Sequence, residues 1–259
     1  MIVYTRPPYP EIQYPYIITN IFDETSFRHI AGAKSVIIDS GVNSVFKRLK
    51  LKEYPGGYVR WIHKAATWWY KIKTTIPNTY ATIPDYPADY IENIVEDNIE
   101  RTIRNIEYAV KHYPHVRWII PIQGRHNDIP SMTKMLEYVE DAGILDTYNY
   151  IAIANACTSK NPKFIHDSVA IIHKRVKHIE KKKGKTIKIH MFGPSISTWK
   201  LIAPYLDSVD TVITNYWCLP TTGKMCTKKQ EKINAWKTLL QRIKEVEKIK
   251  KTNTLIQQT

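Results

Sequence analysis

Asp39, Asp85, Gln123, Gly124, Asn155, Phe192 and Gly193 share one placement: each stands at, or just beyond, the end of a short apolar run. The runs are "SVIID" (35–39), "YATIP" (80–84), "WIIPIQ" (118–123), "YIAIAN" (150–155) and "TIKIHMF" (186–192). These residue types form a chemical set. A carboxylate accepts protons or attacks carbon, an amide both donates and accepts hydrogen bonds, and an aromatic ring packs against a planar ligand. Taken singly, each position has a structural alternative. Asp39 before Ser40 and Gly41 suits a turn or a helix cap. Asp85 before "YP" suits a turn, and Gln123 or Asn155 can satisfy loop backbone groups. Their repetition at equivalent strand ends favours one shared pocket.

Two further aspartates stand in "YLDSVDTVITNYW" (205–217). Asp207 and Asp210 precede or open the β-branched run 210–214, which puts them at a strand's N-terminal end. A strand beginning earlier, over 205–210, places Asp210 with the others. His190, within "TIKIHMF", reads as a core strand residue hydrogen-bonded in place.

The elements that must carry these residues alternate. Strand-like runs occur at 2–5, 16–19, 35–39, 80–84, 118–123, 150–155, 186–192 and 210–214. The later ones are almost continuously apolar, as expected of parallel strands buried on both faces. Helical patterns fill the gaps at 89–113, 130–143, 161–184 and 227–251, the last a basic C-terminal helix. Segment 89–113 repeats apolar residues at helical period. Pro130 opens and Gly143 and Gly184 close their helices. Residues 53–78 form an inserted segment with its own helix. Strand then helix, repeated, predicts an α/β fold with a parallel sheet. Eight strands predict a single-domain, irregular (β/α)8 barrel of TIM type over 1–259, irregular because two strands come early with little helix between them. The alternative, an open doubly wound sheet, lacks a GxGxxG after any strand.

Composition bounds the rest. The 259 residues carry 38 Lys+Arg against 24 Asp+Glu, a net +14, concentrated in "KRLKLK" (47–52), "KHIEKKKGKTIK" (177–188) and "KEVEKIKK" (244–251). Such a chain favours anionic partners, nucleic acid first among them. No run of eighteen apolar residues predicts a membrane span and no leader pattern opens the chain, so a cytoplasmic location is expected. Cys157, Cys218 and Cys226 are too few and scattered for a disulfide framework and read as reduced thiols. No CxxC or HExxH spacing is present, and no cofactor or metal is expected.

The ordered set "IIDSG" (37–41), "IPDYP" (83–87), "IPIQG" (120–124), "YIAIANAC" (150–157), "IHMFG" (189–193) and "LDSVD" (206–210) resembles the tRNA-guanine transglycosylase superfamily, and within it the short members that modify DNA with 7-deazaguanine. The resemblance covers residues 35–217. It implies an irregular (β/α)8 barrel that exchanges a purine base for a 7-deazapurine by cleaving and remaking an N-glycosidic bond. It implies Asp210 as the nucleophile that forms a covalent glycosyl-aspartate, and Asp39 as the acid/base. It implies Asp85, Gln123, Gly124, Asn155, Phe192 and Gly193 as the base-binding set, with Asp207 supporting its segment. The partners implied are DNA or tRNA and a free base, with a homodimer or an accessory protein beside them. The family's cluster of three cysteines and a histidine is absent here, which predicts no zinc of that kind, and its accessory tRNA-binding domains are absent, which shifts the expected polymer toward DNA. Two alternatives belong to other classes: a non-catalytic nucleic-acid binder on a degenerate barrel, and a metal-dependent hydrolase using Asp39, Asp85, His190 and Asp210 as ligands.

Overall fold

The computed structural model of the chain describes residues 1–87, 95–154, 159, 161–211 and 225–256. Eight strands follow one another: β1 (Ile2–Thr5), β2 (Tyr16–Asn20), β3 (Ser35–Asp39), β4 (Thr79–Thr82), β5 (Trp118–Ile122), β6 (Tyr150–Ile153), β7 (Lys188–Met191) and β8 (Ser208–Thr211). Each pairs in parallel with the next, and β8 pairs back onto β1 through Ile2↔Ser208, Val3↔Val209, Tyr4↔Asp210 and Thr5↔Thr211. The sheet is a closed eight-stranded α/β barrel of TIM type, not an open doubly wound sheet.

Strand and helix alternate around most of it. The helices are α1 (Gly57–Lys73), α2 (Val95–His112), α3 (Ile129–Asp141), the short α4 (Ile144–Thr147), α5 (Pro162–Lys183), the short α6 (Trp199–Ile202) and α7 (Lys229–Ile256). α5 starts where Asn161 Oδ1 accepts the Lys163 and Phe164 N–H groups and stops at Gly184 in the left-handed conformation. The irregularity falls where the sequence predicts it. β1 and β2 have no described helix between them, and only a 3₁₀ segment, Glu24–His29, follows β2. α7 covers this gap: Trp236 packs edge-on against Tyr14, with ring centroids 5.4 Å apart, and Leu239, Ile243 and Val246 join the main core.

The period of two along each strand separates two apolar layers. Val36, Ile38, Ile120, Ile122, Ile151, Ile153, Ile189, Met191 and Val209 face outward into the large core beneath the helices. Their neighbours Tyr4, Ile18, Ile37, Ile119, Tyr150 and Ala152 form a separate cluster, the filling of the barrel itself. This alternation also aims the polar residues. Ser35, Ile37 and Asp39 share one face of β3, and Ser208 and Asp210 share one face of β8.

Two expectations are corrected. The eighth strand begins at Ser208 rather than at 210, and is described through Thr211; residues 212–214 lie outside the described residues. The β-branched run sets the expected start late, whereas backbone pairing with β1 begins at Ser208. Asp210 therefore lies toward the C-terminal end of its strand. The second correction concerns the cysteines: Cys226 is disulfide-bonded, a proximity that spacing along the chain does not reveal. Cys157 and Cys218 lie outside the described residues.

Asp207 marks the opposite end of β8. Its Oδ2 accepts the Ile189 N–H at 2.9 Å, its N–H donates to Ile189 O at 2.9 Å, and its carbonyl accepts the Ile2 N–H at 2.8 Å. One residue thus laces β7, β8 and β1 at the floor. Asp207→Ala leaves the Ile189 N–H without its side-chain acceptor and should cost about 1–3 kcal/mol. Urea unfolding should show a lower midpoint, with ligand binding at the other end of the barrel unchanged.

Candidate active site

The inward faces of β3 and β8 deliver Asp39 and Asp210 to the C-terminal mouth of the barrel. The turns just past β4 and β7 deliver Asp85 and Phe192 to the same place. Together with Val42, Asn43, Lys47, Pro87, Ala154 and Gly193 they line a cavity of about 180 Å³. That is below the ~300–1,000 Å³ typical of drug-sized sites, so it has room for a ring system rather than a whole nucleotide. A larger cavity of about 380 Å³ opens at the other end, around Tyr80, Tyr150 and Lys188, and no carboxylate lines it.

Asp39 is the last residue of β3. Burial pushes its carboxyl up to about 7, and the charges of Asp210 and Asp85 add to the rise, while the Gly41 and Ser40 N–H groups oppose it. The Asn20 amide donates to its Oδ2 at 3.3 Å. The turn after Asp39 is fixed from two sides. The Ser40 N–H donates to Thr82 Oγ1 at 2.8 Å, and the Trp61 indole of α1 donates to Ser40 O at 2.6 Å. Gly41 sits at φ +79, where a Cβ would come within 2.7 Å of Asn20 Oδ1, so only glycine follows "DS" here.

Asp85 is 4% exposed. Burial pushes its carboxyl up to about 6, against the lowering effect of a hydrogen bond from Gln123. The Gln123 amide donates to Asp85 Oδ2. That leaves Gln123 Oε1, in a residue 1% exposed, without a hydrogen-bond partner among the described residues. A buried acceptor left open is costly.

The loop that holds Asp85 is pinned by α2. Asn98 Nδ2 donates to Pro87 O at 3.3 Å, Thr102 Oγ1 accepts the Tyr86 N–H at 2.9 Å, and Asn105 Nδ2 donates to Pro84 O at 2.6 Å. These three lie at i, i+4 and i+7, one polar stripe beside the apolar one. From the far side, the Tyr54 hydroxyl donates to Asp85 O at 2.7 Å. Arg101 stacks over the Tyr86 ring at 3.6 Å and pairs with Glu53 at 2.6 Å.

Asp210, 9% exposed, has Oδ1 held by two partners. The Gly193 N–H donates to it at 2.9 Å, and His190 Nε2 lies 3.1 Å away. His190 is fully buried, and its Nδ1 lies 2.7 Å from Ser208 Oγ. Phe192 packs edge-on against the His190 ring, 5.1 Å between centroids, and lines the cavity. The sequence places His190 in the core, or beside Asp210 only as a fellow metal ligand, and does not foresee this hydrogen bond to Asp210. Its two nitrogens are partnered by Ser208 Oγ and Asp210 Oδ1. Among the described residues no cluster of three or more potential metal ligands occurs.

Of the other expected site residues, Gly124 packs against the start of α3. A Cβ there would meet Met132 Cγ at 2.4 Å and Ser131 Oγ at 2.7 Å, which gives this glycine a packing role. Asn155 lies outside the described residues. Lys47, unselected from the sequence except within a basic run, lines the cavity. No helix among the described residues is long and apolar enough to cross a membrane.

No protein family and no curated protein matches the sequence. Among solved structures, the chain is similar to one described as a phosphonomutase from Burkholderia cenocepacia J2315, at 14% identity and TM-score 0.43, covering 89% of this chain and 94% of that one. It is also similar to a glucosidase from Croceicoccus marinus, at 10% identity and TM-score 0.36, covering 80% of this chain and 52% of that one.

The raised Asp39 carboxyl couples the site to stability. Its pKa in the fold, about 7, lies above its ordinary 3.8. The folded state therefore holds the proton more tightly than the unfolded chain. Stability falls as pH rises from 3.8 toward 7, then levels off. Asp39→Asn removes that penalty. The variant should melt a few degrees above the wild type at pH 8, about 1–2 kcal/mol, and close to it at pH 4. Thermal melts of both proteins at the two pH values check this.

Proposed function

We propose that the cavity exchanges a base on a nucleic acid by double displacement at the anomeric carbon. The observation that carries this reading is the pairing of Asp39, raised to about 7, with Asp210 in one small cavity. Retaining glycosyl transfer needs one carboxylate to attack and another carboxyl to pass a proton, and the two must differ in protonation.

In the first step an Asp210 oxygen bonds to C1′ while the N-glycosidic bond breaks. The electron pair leaves with the base nitrogen, and protonated Asp39 supplies the proton. In the second step the ionised Asp39 takes the N–H proton of an incoming base. That nitrogen bonds to C1′, and the glycosyl–Asp210 bond breaks. Two inversions give net retention, and Asp39 ends as it began.

Recognition is assigned to the adjacent groups. Asp85, which lines the cavity, offers an acceptor to the N–H edge of a guanine-like base, and Gln123 behind it donates to Asp85 Oδ2. Phe192 supplies an apolar wall. The exposed basic run 47–52 begins at the cavity with Lys47, and the net charge of +14 attracts a polyanion. The order of strand-end motifs, similar to that of tRNA-guanine transglycosylases, supports the same assignment.

The test is incubation with DNA and tRNA panels and labelled guanine or 7-deazaguanine. Label should enter one polymer and fall by at least about 10³-fold in Asp210→Ala; undiminished incorporation in that variant removes Asp210 from the chemistry. No incorporation with any polymer, alongside salt-dependent binding that survives loss of both aspartates, identifies a binder instead. For the active enzyme, the first step needs Asp39 protonated, so kcat/KM should decline as pH rises through about 7.

A further inference from the structure

The barrel interior contains a hydrogen-bonded chain that ends on Asp210. The Tyr150 hydroxyl lies 2.6 Å from Ser208 Oγ, Ser208 Oγ lies 2.7 Å from His190 Nδ1, and His190 Nε2 lies 3.1 Å from Asp210 Oδ1. Tyr150, Ser208 and His190 are all 3% exposed or less. The three come from β6, β8 and β7 and occupy the inward face of each strand. None of them lines the mouth cavity, and Tyr150 lines the opposite one.

We propose that His190 is a positioning residue for Asp210, locked as the neutral Nε2–H tautomer by Ser208 and Tyr150. The proposal rests on the reading of Asp210 as the nucleophile. Two premises, an ionised Asp210 as the nucleophile reading requires and a neutral His190 as proposed, set the direction of every proton. An ionised carboxylate only accepts, so Nε2 carries the hydrogen. A neutral imidazole then has Nδ1 as acceptor, so Ser208 Oγ–H points at it. A hydroxyl has one hydrogen, so Ser208 Oγ must accept from Tyr150, which donates. At the far side the Tyr4 hydroxyl faces both Tyr150 and Ser35. Ser35 Oγ donates to Asn78 O at 2.7 Å, which leaves Ser35 to accept the Tyr4 hydroxyl at 2.8 Å.

The consequence is geometric. With the Gly193 N–H on the same oxygen, Oδ1 has two fixed donors and the carboxylate plane is set. The bond to C1′ falls to Oδ2. A chain of donors polarised toward one acceptor also strengthens each link in a low-dielectric interior. An Asp210 side chain without this hold retains its identity but loses its aim, and misplacement by about 1 Å costs about 10²-fold in rate.

Gln and Asn at position 190 separate aim from bulk. His190→Gln places an amide N–H where Nε2 was, and His190→Asn reaches only as far as Nδ1. Label incorporation is measured for both, with thermal melts to score folding. His190→Asn should lose about 10²-fold in kcat with little change in KM, because His190 does not line the cavity, and His190→Gln should recover most of that loss. Equal rates in His190→Asn and wild type overturn the proposal, as does a loss that appears in KM alone.

Long-range ¹H–¹⁵N correlation of histidine-labelled protein reads the tautomer without turnover. His190, identified by its absence in His190→Gln, should be Nε2-protonated and Nδ1-unprotonated, and Ser208→Ala should weaken that bias. A doubly protonated ring or the Nδ1–H form overturns the proposal even when both position-190 variants fold poorly. Incorporation that persists in Asp210→Ala, with the tautomer as stated, locates the failure in the nucleophile reading instead.

Discussion

Three carboxyl groups line one small mouth cavity, and the charges of two of them, Asp85 and Asp210, bear on the third, Asp39. Asp39 cannot ionise cheaply there, because burial and the charges of Asp210 and Asp85 all raise its carboxyl, and burial raises the Asp85 carboxyl as well. The protein distributes the burden unequally. Asp210 receives the Gly193 N–H and the His190 contact on one oxygen, Asp85 receives the Gln123 amide, and Asp39 keeps the weakest side-chain support and a carboxyl raised to about 7. Unequal support leaves the Asp39 carboxyl raised to about 7, and a carboxyl tuned toward neutrality is the property that acid/base work requires.

That arrangement is tolerable only because the backbone beneath it is over-determined. A closed parallel barrel leaves no strand edge free, and its register fixes which side chains point inward. The turn after β3 is held by Thr82 and Trp61. The turn after β4 is held by Tyr54 and by the Asn98–Thr102–Asn105 stripe of α2. Each contact is a modest neutral hydrogen bond, about 1 kcal/mol net. Acting together on two short loops they restrain carboxylates that would otherwise swing out to water.

The barrel was legible because its signal is local and repeated: apolar runs, helical gaps, and a count of eight. The convergence of Asp39, Asp85 and Phe192 was legible for the same reason, since each ends a run whose direction is fixed by the parallel topology. Asp210 was harder. Its strand opens on polar residues, Ser208 and Asp210, and the β-branched run beginning at Asp210 hides that early start, which pairing with β1 decides. His190 was read as a buried strand residue, correctly in burial, but its link to Asp210 depends on two strands lying side by side. The polar stripe of α2 was hidden by the stronger apolar one, and the Cys226 disulfide depends on proximity in space.

The central claim is that Asp210 attacks sugar carbon. The most direct test is to mix the protein with its nucleic acid in the absence of an incoming base, quench rapidly, digest, and map covalent mass additions along the chain. A glycosyl or oligonucleotide adduct on Asp210, with free base released in equal amount and both absent from Asp210→Ala, is the predicted result. Base release with no adduct on Asp210, or an adduct on Asp39 or Asp85, contradicts it.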